Sequence, residues 1–136
     1  VLLSRLADCL FFLLVRDHLN SDVGVFAAFA HPKLSAVMER IHAETNSKLT
    51  LDDLANVGAM SRSSFANLFK EIVGQSPVDY ITHWRMSLAY QYLRDEGLST
   101  LDVALKVGYE SESSFAKAFT RVMGFGPGQA RSHASV

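Results

Sequence analysis

Residues 50 to 77 run TLDDLANVGAMSRSSFANLFKEIVGQSP and residues 100 to 127 run TLDVALKVGYESESSFAKAFTRVMGFGP, so a shift of fifty residues superposes them without a gap. Thr50, Leu51, Asp52, Val57, Gly58, Ser61, the run from Ser63 to Ala66, Phe69, Gly74 and Pro77 recur unchanged at the shifted positions. A repeat of this length means one supersecondary unit used twice. Thr50 is placed to cap a helix with Asp52 and Asp53 in its first turn, and Leu51, Leu54 and Ala55 give it an apolar face. Gly58 stops that helix. Ser61 is then placed to cap a second one, with Phe65, Leu68, Phe69 and Ile72 on its apolar side and Gly74 and Pro77 at its end. Helix, tight glycine turn and helix make the outline of a helix-turn-helix.

The far face of the second helix separates a DNA reader from a plain helical hairpin. With successive residues about 100° apart, the apolar set leaves Ser63, Ala66, Asn67 and Lys70 pointing away from the core. The second copy presents Ser113, Ala116, Lys117 and Thr120, with Arg121 on the flank and Phe115, Phe119 and Val122 on the core side. Small side chains let a helix sit deep in a major groove, where Asn, Lys, Ser and Thr reach base edges or phosphates.

These two units, the linking stretch PVDYITHWRMSLAYQYL and the closing SESSFAKAFTRVMGFGP resemble the DNA-binding domain of the AraC/XylS family of bacterial transcription regulators. The likeness covers about residues 35 to 131. It implies paired helix-turn-helix units, joined by one long helix, that enter consecutive major-groove segments of promoter DNA in the cytoplasm and regulate transcription, with RNA polymerase as a further partner. Three departures stand out: Asn67 where the family usually has a basic residue, Gly126 in place of a common Ser before Pro127, and Ala130 where an aromatic usually precedes Arg131.

The expected fold is therefore all-α, two helix-turn-helix units joined by a long helix and preceded by an amphipathic N-terminal helix. Residues 1 to 31 fall to that helix and a linker from a sensor or dimerisation region, and residues 32 to 136 to the DNA-binding domain. Residues 1 to 19 carry Leu3, Leu6, Leu10 and Leu13 at the alternating three-and-four spacing of a coiled-coil seam, so the face is expected either to pack against the rest of the chain or an N-terminal domain, or to form a homodimer. Arg5 and Asp8 interrupt a stretch already too short for a membrane span. Residues 20 to 32 look like a boundary, with Asn20, Ser21, Asp22 and Gly24 as turn formers around a single docking turn. From Pro32, the positions Leu34, Val37, Met38, Ile41 and His42 predict a helix of about three turns. Residues 77 to 96 make the longest helix, with Tyr80, Ile81, Trp84, Leu88, Tyr92 and Leu93 inward, and Arg85 left to meet a phosphate or an acidic neighbour. At ~1.5 Å per residue that helix spans roughly 30 Å, near the ~34 Å between successive major-groove segments, which suggests a site of two short boxes about ten base pairs apart.

Net charge argues the other way. The chain totals −1, and residues 49 to 136 carry eight Lys or Arg against nine Asp or Glu, whereas nucleic-acid binders are usually basic. What keeps the DNA reading is position: Asp52, Asp53, Asp95, Glu96 and Asp102 fall at helix ends or connections, and Lys70, Lys117 and Arg121 on or beside the outward faces. A helical protein-interaction module is the alternative that near-neutral charge would suit. The expected base readers are Asn67 and Lys117. Ser63, Ser113, Lys70, Thr120 and Arg121 mix base and phosphate roles, and Arg62 and Arg85 are backbone-contact candidates.

No catalytic, cofactor or metal site is expected. His18, His31, His42, His83 and His133 lack metal-ligand spacing, and the one cysteine, Cys9, sits in a leucine-rich face with no partner to activate it. The Ser-Ser-Phe runs start helices and lack the G-x-S-x-G of a nucleophile elbow.

Overall fold

The computed structural model describes residues 5–7 and 22–133, and among them all regular structure is helical. Residues 5–7 are helical, while the rest of the leucine stripe and Cys9 lie outside the described residues. The helices that follow are α1 (Asp22–Ala30), α2 (Ser35–Ala43), α3 (Leu51–Val57), α4 (Arg62–Val73), α5 (Pro77–Asp95), α6 (Thr100–Lys106), α7 (Glu112–Met123) and α8 (Pro127–Ser132). They divide between two compact units: the first takes the described residues up to Glu44 with Lys48–Ile81, and the second Thr45–Ser47 with the described residues from Thr82.

In the first unit, residues 22 to 30 form a helix and not the turn expected of them. Gly24, a turn signal by sequence, is there for a close approach: a Cβ at this position would run into the Ile72 carbonyl oxygen and stand 3.1 Å from that of Val73. The missing side chain lets α1 lie against the end of α4 and bury Val25 and Ala28. Leu34, which precedes α2, and Val37, Met38, Ile41 and His42 within it are all buried, as their spacing predicts. Phe65 and Phe69 of α4 complete the core with Tyr80 of α5, the Phe69 and Tyr80 rings meeting edge to face at 5.7 Å. The Tyr80 hydroxyl lies 2.6 Å from His42 Nε2, and burial pushes the His42 pKa down to about 3, so the imidazole is neutral at physiological pH.

The second unit repeats the plan with one change of register. Its first helix is capped by Ser99 and not by Thr100: Ser99 Oγ accepts from Asp102 N at 3.0 Å, just as Thr50 Oγ1 accepts from Asp53 N at 3.1 Å. The helix therefore begins one residue earlier than the sequence repeat implies, and Val103 and Ala104 bury where Leu54 and Ala55 do in the first copy. Leu101, which the repeat aligns with Leu51 on the apolar face of the first copy, is 46 % exposed, and Leu105 is 50 % exposed. The extra residue falls in the turn, because the next caps, Ser61 and Ser111, are again fifty apart. The glycines of the repeat consequently differ. Gly58 has φ −84°, and Ala59 carries the left-handed conformation with φ 55°, whereas in the second turn Gly108 carries it at φ 89°.

Long helix α5 gives the second unit Trp84, Met86, Leu88, Ala89 and Leu93, packed with Val103, Val107, Phe115, Phe119 and Ala130. Ile81 and Tyr92, expected inward, are only half-buried. The second unit closes through Arg131, whose Nη2 donates to Thr100 Oγ1 at 3.0 Å, and through Tyr90, whose hydroxyl is 2.8 Å from His133 Nδ1.

Candidate nucleic-acid interface

Each unit's second helix is fixed at its start by a serine. Ser61 Oγ accepts from Ser64 N at 3.2 Å and Ser111 Oγ from Ser114 N at 3.1 Å, so these serines are caps. At the far end, Gly74 and Gly124 take φ 94° and 83°, where an L side chain would be strained. Buried Phe65, Phe69 and Val73 fix the rotation of α4 about its axis, and Phe115, Ala118 and Phe119 fix that of α7.

This rotation leaves Ser63, Asn67 and Lys70 exposed on one stripe of α4, with Ala66 half-buried at its edge. The matching stripe of α7 exposes Ser113, Lys117, Thr120 and Arg121, with Ala116 half-buried. Both surfaces are low, polar and rich in hydrogen-bonding groups, which is the relief a helix needs to approach base edges in a major groove. Arg62, the first residue of α4, is exposed, and its Nε lies 3.0 Å from Asp52 Oδ1.

Arg85 is the residue that the structure does not bring to this surface. Its side chain is buried in the second unit, where Nη2 donates to the Ser47 carbonyl oxygen and the guanidinium packs at Gly108. Burial lowers its pKa, but a guanidinium keeps its charge. Arg85 thus anchors the Thr45–Ser47 segment, and the phosphate role expected of it does not fit this placement. Two further residues belong to the surface that periodicity alone did not single out. Asp52 engages Arg62, and Glu112 occupies on α7 the place that Arg62 has on α4. The exchange of sign at positions 62 and 112 was visible in the aligned copies; the ion pair was not, because it joins two helices across a turn.

Residues 54–133 match the family model described as a helix-turn-helix domain. The chain is 37% identical over 99 residues to the HTH-type transcriptional regulator AlkR of Acinetobacter baylyi, an alignment that covers 71% of this chain and 32% of that protein. The chain belongs to the AraC-type helix-turn-helix family. A crystal structure of an AraC-type DNA-binding domain protein from Chromobacterium violaceum superposes with TM-score 0.72 at 26% identity, covering 79% of this chain and 96% of that one. The DNA-binding domain of AdpA, solved in complex with a target DNA, shares the fold with TM-score 0.69 at 24% identity, covering 75% and 91%. The AraC-type domain accounts for most of this chain, which spans about a quarter to a third of the length of the curated relatives it matches. No helix among the described residues is long and apolar enough to cross a membrane, and no group of three or more His, Cys, Asp or Glu among them could hold a metal ion.

Proposed function

We propose that this domain binds duplex DNA at specific sequences by laying α4 and α7 in the major groove, and that the protein carrying it regulates transcription from promoters so marked. The observation that carries the reading is the pair of exposed polar stripes on serine-capped helices whose opposite faces are locked by phenylalanines. Asn67 is suited to the N6 and N7 edge of adenine and Lys117 to guanine. Ser63, Ser113, Lys70, Thr120 and Arg121 divide between bases and phosphates, and Arg62 joins them at the start of α4.

A salt titration of duplex binding tests this. Phosphate neutralisation releases counterions, so affinity must fall linearly on a log–log plot as salt rises. An affinity indifferent to salt, or no preference among duplexes, would favour the helical protein-interaction module instead. One observation supports a protein contact in addition to DNA: Leu101 and Leu105 sit one turn apart on the exposed side of α6. RNA polymerase is the partner that this reading calls for. Replacing both leucines by serine should leave duplex binding intact while transcription from a bound promoter changes. Homodimerisation through residues 1 to 19 belongs to the same proposal and is checked by sedimentation.

A further inference from the structure

The Arg62–Asp52 pair is exposed on both sides, with side chains 67% and 64% accessible. A pair so open to water contributes little to folding. The capping of α3 does not need Asp52 either, since Thr50 and Asp53 close the capping box between them. An acidic group beside a surface that meets phosphates also opposes binding, so neither stability nor nonspecific affinity accounts for it.

We propose that Asp52 is a positioning residue that aims Arg62 at a guanine edge, making the start of α4 a sequence-reading point in the first unit alone. This rests on the DNA-binding reading above. The geometry supplies the reason. The carboxylate engages Nε, which leaves the two terminal nitrogens of the guanidinium to form the planar fork that matches O6 and N7 of guanine. An arginine with no carboxylate at its side is drawn to the nearest phosphate; one already paired carries little net charge and gains more from a fixed pair of hydrogen bonds. The second unit lacks both parts. Its register change puts Leu101 at the rank of Asp52, second residue of the helix, and Glu112 stands at the rank of Arg62. A carboxylate there accepts from an amino-bearing base such as cytosine and repels phosphate. The two helix starts therefore ask for different bases.

The experiment is selection from randomised duplexes, followed by affinity measurement on the selected site and on its single-base variants, with the wild-type domain, Asp52→Asn, Arg62→Ala, Arg62→Lys and the double change. One position of the site should require guanine, and Arg62→Ala should flatten that preference by about 5- to 150-fold, the range a bidentate contact confers. Asp52→Asn should flatten the same position and no other, while binding to unrelated duplexes stays equal or strengthens. Arg62→Lys, which keeps the charge but not the fork, should fail to restore the preference, and the double change should add nothing to the loss from Arg62→Ala. If Asp52→Asn strengthens binding to all duplexes alike and preserves the guanine preference, Asp52 does not aim Arg62 and the inference is wrong, although the domain still reads DNA. Should the wild-type domain select no sequence at all, the DNA reading fails and takes this inference with it.

Discussion

Gly24 and His42 show how single residues decide the first unit. Alanine is the better helix former by about 1 kcal/mol, so Gly24→Ala would stabilise α1 were it isolated. In the folded unit the added methyl meets the backbone oxygen of Ile72, which cannot swing aside as a side chain could. The expected net result is a loss of about 1 to 3 kcal/mol, read from urea unfolding, with the variant still helical. His42 makes a pH prediction whose sign is fixed by its burial. The folded pKa of about 3 lies below the unfolded value of 6.5, so below pH 6.5 the unfolded state binds the extra proton. Stability is therefore fully present above that value and declines as pH drops towards 3. The slope approaches about 1.4 kcal/mol per pH unit, or about 2 kcal/mol lost by pH 5. His42→Gln keeps a donor and an acceptor near Tyr80 but does not titrate. The difference in unfolding free energy between wild type and this variant should thus change progressively between pH 6.5 and pH 5, and a constant difference would show that His42 is already solvated.

Among the helices, α3, α4 and α7 were legible because each combines a cap, an apolar period and a terminator that agree with one another, and α5 from its apolar spacing. Exposure of Ser63, Asn67, Lys70, Ser113, Lys117, Thr120 and Arg121 follows from the same periodicity and holds in the structure. Three things were not legible. Gly24 looks the same in sequence whether it opens a turn or permits a close crossing, and only the partner backbone distinguishes them. Helical angle alone did not place Arg85, because the Ser47 carbonyl oxygen that accepts its hydrogen bond comes from a segment outside the repeat. The register of α6 is a third case, in which identity misled. Thr100, Leu101 and Asp102 repeat Thr50, Leu51 and Asp52 letter for letter, yet Ser99 caps the helix and moves Leu101 out of the core. Leu101→Gln should accordingly alter stability by no more than about 0.5 kcal/mol, as expected of an exposed position. Leu54→Ala, at a fully buried one, should cost about 2 to 5 kcal/mol. Thermal unfolding of the two variants separates the registers, since with the fifty-residue register Leu101→Gln would cost several-fold more.

Charge over the molecule sets how the two units share the work of binding. A net charge of −1 allows no broad basic field, so attraction to DNA has to come from the few cations placed on or beside the stripes: Lys70 on α4, Lys117 and Arg121 on α7, and Arg62 already paired with Asp52. Three or four cations so placed correspond to a log–log salt slope no steeper than about −3 to −4, well short of a strongly basic protein. The stripes are unequal in kind, because Asn67 and Lys117 occupy matched places on the two helices. Lysine contributes charge wherever it points, and asparagine only where its amide meets a base. Lys117→Ala should therefore weaken binding to every duplex and reduce the magnitude of the salt slope by about 1. Asn67→Ala should leave the slope unchanged and relax sequence preference in the segment contacted by α4 by about 1 to 3 kcal/mol if the amide makes both its bonds to adenine. Affinities of both variants for the selected site and for an unrelated duplex, measured across a range of salt, provide the comparison. Equal losses that do not vary with salt would mean that neither side chain reaches the groove and that the stripes serve another surface. Unequal losses of the predicted kinds would mean that α7 supplies more of the electrostatic attraction and α4 more of the discrimination, a division that the matched phenylalanines beneath them give no hint of.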